Sequence, residues 1–174
     1  MKRTQAIELP EEEIAKQKEW MAAFAALEDR PHTYCVVTYG CQMNAHDSEK
    51  LEGMLTQMGM TPAANREEAD FVIFNTCCVR DNAQRRALGN VVWLKELKKT
   101  RPELMVGVCG CMMQQPGMGE QILKQYPFVD LAFGTHNLYR FAQLMLKAVQ
   151  SRRRVVEVIQ DDEGQIHKRI LLEN

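Results

Sequence analysis

The chain has 174 residues, 45% of them hydrophobic, and a formal net charge of -1, enough material for one sizeable core with appendages. Near-neutral charge argues against a stand-alone nucleic-acid binder, because affinity for phosphates needs a basic excess or a basic stripe. No run approaches the roughly 18 apolar residues of a membrane span, and the acidic Leu9-Pro10-Glu11-Glu12-Glu13 start is unlike a secretion signal, so a cytoplasmic protein is expected.

Residues 1–31 read as an N-terminal helical extension. Pro10 followed by Glu11, Glu12 and Glu13 is a helix start, with proline tolerated in the first turn and acids favoured at the positive end of the dipole. Ile14, Trp20, Met21, Phe24, Ala25 and Leu27 give that helix an apolar face, expected to pack on the main domain. Residues 32–150 form that domain. Tyr34 to Thr38 is an apolar run broken by Gly40, so Cys41 falls on a strand-to-helix loop. Asp47 or Ser48 is the expected cap of the next helix, whose buried positions are Leu51, Met54, Leu55 and Met58 and whose stop is Gly59. At helical spacing these methionines are core filling rather than a cofactor box. Residues 61–69, with Pro62, connect to Phe71-Val72-Ile73-Phe74-Asn75-Thr76, a continuous apolar strand running into Cys77.

Val79 to Lys99 is a long helix with Val91, Val92, Leu94 and Leu97 inward and lysines at its C-terminal end, where the dipole favours cations. Gly89 inside it implies close packing on the sheet, since glycine there costs about 1 kcal/mol relative to alanine. Leu104 to Val108 is a third strand, leading through Cys109 and Gly110 to Cys111. A short helix at residues 117–126, a strand at Val129–Phe133 and a helix at Asn137–Val149 complete the pattern. The sum is an α/β fold with a doubly wound, mainly parallel sheet of four to five strands flanked by helices. Residues 151–174 read as a linker leading to a further domain. There Val155 to Ile159 and the Asp161-to-Gln165 turn suggest two short strands, and Arg152, Arg153 and Arg154 read as a solvated surface or a contact for RNA.

Three strands thus deliver three cysteines to the same kind of loop. Cys41 and Cys77 are 36 residues apart, and Cys77 and Cys111 are 34 apart, each interval fitting one strand-helix-strand unit. In an open α/β sheet such loops lie along one edge and form the ligand crevice, so the three thiols are expected to meet. Soft sulfur ligands suit an iron-sulfur cluster or zinc, and six cysteines in a reducing compartment are poor material for disulfides. Cys77-Cys78 and Cys109-x-Cys111 lack the CxxC spacing of a zinc knuckle. Cluster, zinc and free thiols all stay open on the residues alone.

Tyr39-Gly40-Cys41-Gln42-Met43-Asn44, Asn75-Thr76-Cys77-Cys78-Val79-Arg80 and Gly110-Cys111-Met112 resemble the three cysteine motifs of the N-terminal domain of the radical-SAM methylthiotransferases. The resemblance spans residues 34 to about 148. It implies that Cys41, Cys77 and Cys111 ligate an auxiliary 4Fe-4S cluster whose unique iron holds the sulfur to be methylated and transferred. It further implies a tRNA substrate, modified at C2 of N6-isopentenyladenosine beside the anticodon. Such enzymes carry a second 4Fe-4S cluster that cleaves S-adenosylmethionine, bound by a CxxxCxxC triplet, and a small RNA-binding domain. No CxxxCxxC occurs in this sequence, so this stretch alone is expected to be inactive. Cys78 stands where the family has a small residue, and with Cys109 and Cys35 it reads as packing, although Cys78 could replace Cys77 as the ligand. Asn44 and Asn75 flank two ligands and are expected either to bond backbone or cluster sulfur or simply to form turns. Arg80 balances a negative cluster, meets RNA phosphate or makes a surface ion pair, and Gln42 is open. The four histidines, His32, His46, His136 and His167, lack ligand spacing, with His46 nearest a candidate cysteine. The alternative is a zinc-stabilised α/β interaction domain without catalytic role.

Overall fold

The computed structural model describes residues 10–77, 81–162 and 165–172. Pro10 precedes α1 (Glu11–Ala25), with all three glutamates in the first turn. The chain then alternates: β1 (Thr33–Tyr39), α2 (Gln42–Gln57), β2 (Thr61–Pro62), β3 (Phe71–Thr76), α3 (Asp81–Thr100) and β4 (Met105–Cys109). A 3-10 turn at Cys111–Gln114 leads to α4 (Met118–Gln125), β5 (Leu131–Phe133), a second 3-10 turn at Thr135–Arg140 and α5 (Phe141–Ser151). The hydrogen-bonded strands β6 (Val155–Asp162) and β7 (Gln165–Leu172) follow.

All seven strands join one sheet in the order β2-β1-β3-β4-β5-β6-β7. Every neighbouring pair is parallel except β6 and β7, which run antiparallel from Val155↔Leu172 to Asp162↔Gln165. The doubly wound class expected from the sequence holds, and the sheet is wider than four or five strands for two reasons. The two residues of β2 form an outer strand beside β1, and β6 continues the parallel ladder beside β5 through Leu131↔Val155. Arg140, in the turn after β5, ties this ladder further by an ion pair with the fully buried Glu157 of β6.

The alternation of β3 divides the core into two layers. Phe71 and Ile73 face α1, α2 and α5, packing with Phe24, Leu51 and Phe141, while Val72 and Phe74 face α3 and α4, packing with Val91, Leu94 and Ile122. Each such side chain contributes about 1.5–3 kcal/mol when fully buried. Met21 and Phe24 are buried and Trp20 and Leu27 partly so, so α1 does pack on the main domain. Its Ile14, expected on that face, is 43% exposed.

Three expectations of detail need correction. Helix α2 begins at Gln42, not after Asp47 or Ser48, because Cys41 and Asn44 cap it earlier; Ser48 instead turns inward. On α3, Val91 and Leu94 are buried whereas Val92 is 47% exposed, one residue being a rotation of about 100° away from the sheet. Gly89 does not serve close packing, since a β-carbon there would meet no atom within 4 Å, and nothing in the structure explains the glycine.

The arginine triplet is also divided. Arg152 forms an exposed ion pair with Asp29 and Arg153 is exposed. Arg154, however, is half-buried, and its guanidinium donates to the carbonyl oxygens of Ile122, Leu123, Tyr126 and Val129. It therefore ties the C-terminal end of α4 to the loop that follows it rather than forming a free basic surface.

Candidate metal centre

Strands β1, β3 and β4 are adjacent and parallel, so their carboxyl ends lie on one rim. Cys41 follows β1 by two residues, Cys77 follows β3 directly and Cys111 follows β4 by two residues. The order β2-β1-β3 means that the chain leaves β1 in one direction for β2 and then returns to its other side for β3. That reversal is the switch point at which open α/β sheets form their binding crevice, and Cys41 and Cys77 stand on its two sides.

The loops are held close by backbone as well as by side chains. Cys77 N–H donates to the Tyr39 carbonyl at 2.9 Å, joining the ends of β3 and β1. The Cys111 thiol donates to the Thr76 carbonyl at 3.6 Å, and the Thr76 hydroxyl donates to the Cys109 carbonyl at 3.4 Å, joining β4 to β3. Two glycines permit this approach. A β-carbon on Gly40 would stand 2.7 Å from the Cys77 β-carbon, and Gly110, at φ +103, sits where L side chains are strained. The three thiols differ in depth: Cys41 is exposed, Cys111 half-buried and Cys77 3% exposed.

Cys41 occupies the N-cap position of α2. Its N–H donates to Asn44 Oδ1 at 3.3 Å and its thiol to the same oxygen at 3.4 Å, while the Asn44 N–H faces the Cys41 sulfur, completing a reciprocal cap. The N–H groups of Asn44 and then Met43, aimed at this sulfur, lower the Cys41 thiol from its ordinary value, and a hydrogen bond from the Cys77 thiol acts the same way. Burial acts oppositely on the two other cysteines of β1 and β4. It raises the thiols of Cys35 and, strongly, Cys109. Cys109 is buried in the core layer of α1, α2 and α5, and the half-buried Cys35 packs in the other, as expected of packing residues.

Asn44 and Asn75 are both buried, and the amide of Asn75 bonds Asn44 and Ser48 rather than any sulfur. Sequence reasoning took Ser48 only for a helix cap and Thr76 only for a strand end, whereas the structure draws Ser48 into this network and brings the Thr76 carbonyl to Cys111. Their signal was position alone: Ser48 lies one helical turn beyond Asn44 and Thr76 directly precedes a cysteine. Among the other candidates, Gln42 is exposed in the first turn of α2, and His46 is exposed and faces Glu49 at 3.7 Å. His32, before β1, and His136, in the 3-10 turn after β5, are both exposed and far apart in sequence. Cys78 and Arg80 lie outside the described residues, as does the His167 side chain. Among the described residues no three His, Cys, Asp or Glu side chains stand close enough to share one metal ion. A cleft of about 710 Å³ opens between Arg30, Asp70, Lys98, Asp130 and Arg152 at the opposite, amino-terminal rim, away from the cysteines.

The fold and this rim define a doubly wound α/β domain that presents cysteines at its switch point. The chain belongs to the family described as "Uncharacterized protein family UPF0004", whose model matches residues 33–134. It is similar to proteins named tRNA-2-methylthio-N(6)-dimethylallyladenosine synthase in several bacteria. The one from Acetivibrio thermocellus is 47% identical over 169 residues, 93% of this chain and 35% of the relative. That from Clostridium perfringens is 50% identical over 131 residues, 75% of this chain and 29% of the relative. That from Caldicellulosiruptor saccharolyticus is 51% identical over 131 residues, 75% of this chain and 28% of the relative. The chain therefore spans about a third of the length of these relatives. No helix among the described residues is long and apolar enough to cross a membrane.

Proposed function

We propose that this chain is the auxiliary-cluster domain of a tRNA methylthiotransferase, with Cys41, Cys77 and Cys111 as the three protein ligands of a 4Fe-4S cluster. The observation that carries the reading is the meeting of three loops at the switch point, with the Cys77 N–H bonded to the Tyr39 carbonyl and the Cys111 thiol bonded to the Thr76 carbonyl. The donor set fits such a group. Thiolates are the ligands iron-sulfur clusters take, Cys41 is already biased toward its thiolate, and the rim leaves that sulfur exposed. A single zinc ion needs its ligands about 2.0–2.3 Å from one point. Thiols spread along a rim instead match a polynuclear centre, whose irons each take their own ligand. Cys78, beside Cys77 in sequence, is the rival for the second ligand position.

When bound, a cluster with three cysteine ligands supplies one iron open to an exogenous sulfur species. This chain's own contribution is to hold three thiols on one rim and to leave the outermost accessible. In the whole enzyme the domain delivers sulfur to C2 of an N6-isopentenyl-type adenosine beside the tRNA anticodon. The radical chemistry there belongs to a second 4Fe-4S cluster and S-adenosylmethionine in a radical-SAM domain, and RNA contacts to a further domain, in the cytoplasm. The net charge of -1 agrees with tRNA phosphates being bound chiefly outside this domain.

Anaerobic reconstitution with iron and sulfide tests the assignment. The parent chain is expected to turn brown and take up about four iron atoms per chain. Cys41→Ala, Cys77→Ala and Cys111→Ala are expected to lose or sharply reduce that uptake, and Cys78→Ala and Cys109→Ala to retain it. A colourless parent chain carrying zinc after purification would favour the interaction-domain reading, and loss of uptake in Cys78→Ala but not in Cys77→Ala would move the second ligand by one residue.

A further inference from the structure

Behind Cys41 runs a chain of polar side chains, buried at Asn44, Ser48 and Asn75 and ending at the exposed Thr38, that the ligand assignment does not use. Thr38 and Ser48 share a hydroxyl hydrogen bond of 2.7 Å between β1 and α2. Asn75, 1% exposed at the end of β3, donates from Nδ2 to the Ser48 hydroxyl at 3.0 Å and to the Asn44 backbone carbonyl at 2.8 Å. Its Oδ1 accepts from the Asn44 side-chain amide at 3.3 Å. Asn44, 5% exposed, then spends its own Oδ1 on the Cys41 N–H and thiol. One amide is thereby gripped on both its backbone and its side chain by a second amide from the neighbouring strand, and the gripped amide holds the cysteine.

The chemistry of this arrangement is specific. A carboxamide offers donor and acceptor in one plane, and Asn75 uses both toward a single partner, which fixes the rotation of Asn44. A buried amide left unpaired is costly, so Asn44 has little freedom to turn its oxygen away from Cys41 while Asn75 is in place. Asn75, on β3, bonds Asn44 and Ser48 of α2 and is also next but one to Cys77. Gly110, before Cys111, completes the enclosure, for a β-carbon there would stand 2.6 Å from Asn75 Oδ1.

We propose that Asn75 is the positioning residue of the site. Through Asn44 it sets where the Cys41 sulfur stands relative to Cys77, so the three-loop rim is assembled by amide hydrogen bonds before any metal arrives. The inference rests on the reading of Cys41 as a ligand given above. It assigns a role to a side chain whose hydrogen bonds reach no sulfur, and it makes the site preformed rather than folded around its guest.

The test has a metal-free arm and a loaded arm, each on the parent chain, Asn75→Ala, the near-isosteric Asn75→Asp, which lacks the amide donors, and the milder Ser48→Ala. In the metal-free protein, hydrogen exchange resolved by NMR is expected to speed at the Cys41 amide in both Asn75 variants. Core amides such as that of Ile73 are expected to stay at parent rates, which separates positioning from general loosening. In the loaded arm, competition with a chelator is expected to show iron held about 10-fold or more less tightly, with a shifted cluster reduction potential. Ser48→Ala should fall between the parent and Asn75→Asp. A folded Asn75→Asp protein with unchanged Cys41 exchange and unchanged potential overturns the inference. Failure of the parent chain to bind iron would instead sink the cluster reading, leaving the exchange comparison to decide on Asn75 alone.

Discussion

A β-carbon built on Gly110 would stand 2.3 Å from the carbonyl oxygen of Thr76, the same oxygen that accepts the Cys111 thiol. The end of β4 is pressed against the end of β3 at this point, and only a residue without a side chain allows it. Gly110→Ala is therefore expected to push Cys111 off Thr76. The positive φ alone costs about 1–3 kcal/mol for a residue with a side chain, with the clash in addition. Chemical denaturation should show at least that loss, and reconstitution should show reduced iron uptake even though all cysteines remain.

Phe24 tests how far the N-terminal helix belongs to the folded body. It is fully buried in the layer shared with α2 and α5. Phe24→Ala is expected to destabilise the chain by about 3–5 kcal/mol, measured as a lower denaturant midpoint. A change of under 1 kcal/mol would mean that α1 is not docked in solution.

Arg154 predicts a loss of stability without a loss of chemistry. Its planar guanidinium serves four carbonyls around the end of α4, a fan that a lysine ammonium cannot reproduce. Arg154→Lys is expected to cost about 2 kcal/mol while leaving iron uptake intact. Arg153→Lys, on an exposed neighbour, should be within experimental error of the parent.

The thiols should separate by pH in the metal-free protein. Iodoacetamide labels the thiolate, so labelling of Cys41, whose thiol is lowered by the N–H groups of Asn44 and Met43, should rise at lower pH than labelling of Cys35, whose thiol is raised by burial. The sign carries into stability. With Cys41 a thiolate when folded and a thiol when unfolded, the unfolded chain binds the extra proton. That contribution is then full above the ordinary thiol value of about 8.5 and fades as pH falls through the folded value. Peptide mass spectrometry across pH reads the first effect, and a flatter stability profile in Cys41→Ser between neutral pH and pH 9 reads the second.

Much of this was legible in the residues. The run Phe71 to Thr76 announced β3 because a strand covered on both faces has no polar alternation to obscure it. The three cysteine loops could be placed because Gly40 and Gly110 mark where strands end. The start of α2 was not legible, since cysteine is no ordinary cap and the acceptor that completes it, Asn44, works only once Asn75 arrives from β3. Gly89 misled because a helix glycine has no local signal for what lies opposite it. Arg154 was equally opaque: three adjacent arginines look alike in sequence, and only the return of the chain past α4 gives one of them four carbonyls to hold.

The graded depth of the thiols has a further outcome for the unloaded protein. An oxidant arriving from solvent meets Cys41 first, with the buried Cys77 on the adjoining loop behind it. A sulfenic acid formed on Cys41 is then expected to condense with the Cys77 thiol, releasing water and leaving a disulfide that thiols can reverse, rather than climbing to the irreversible acids. The geometry that gathers the sulfurs also gives damage at the outermost one a way back.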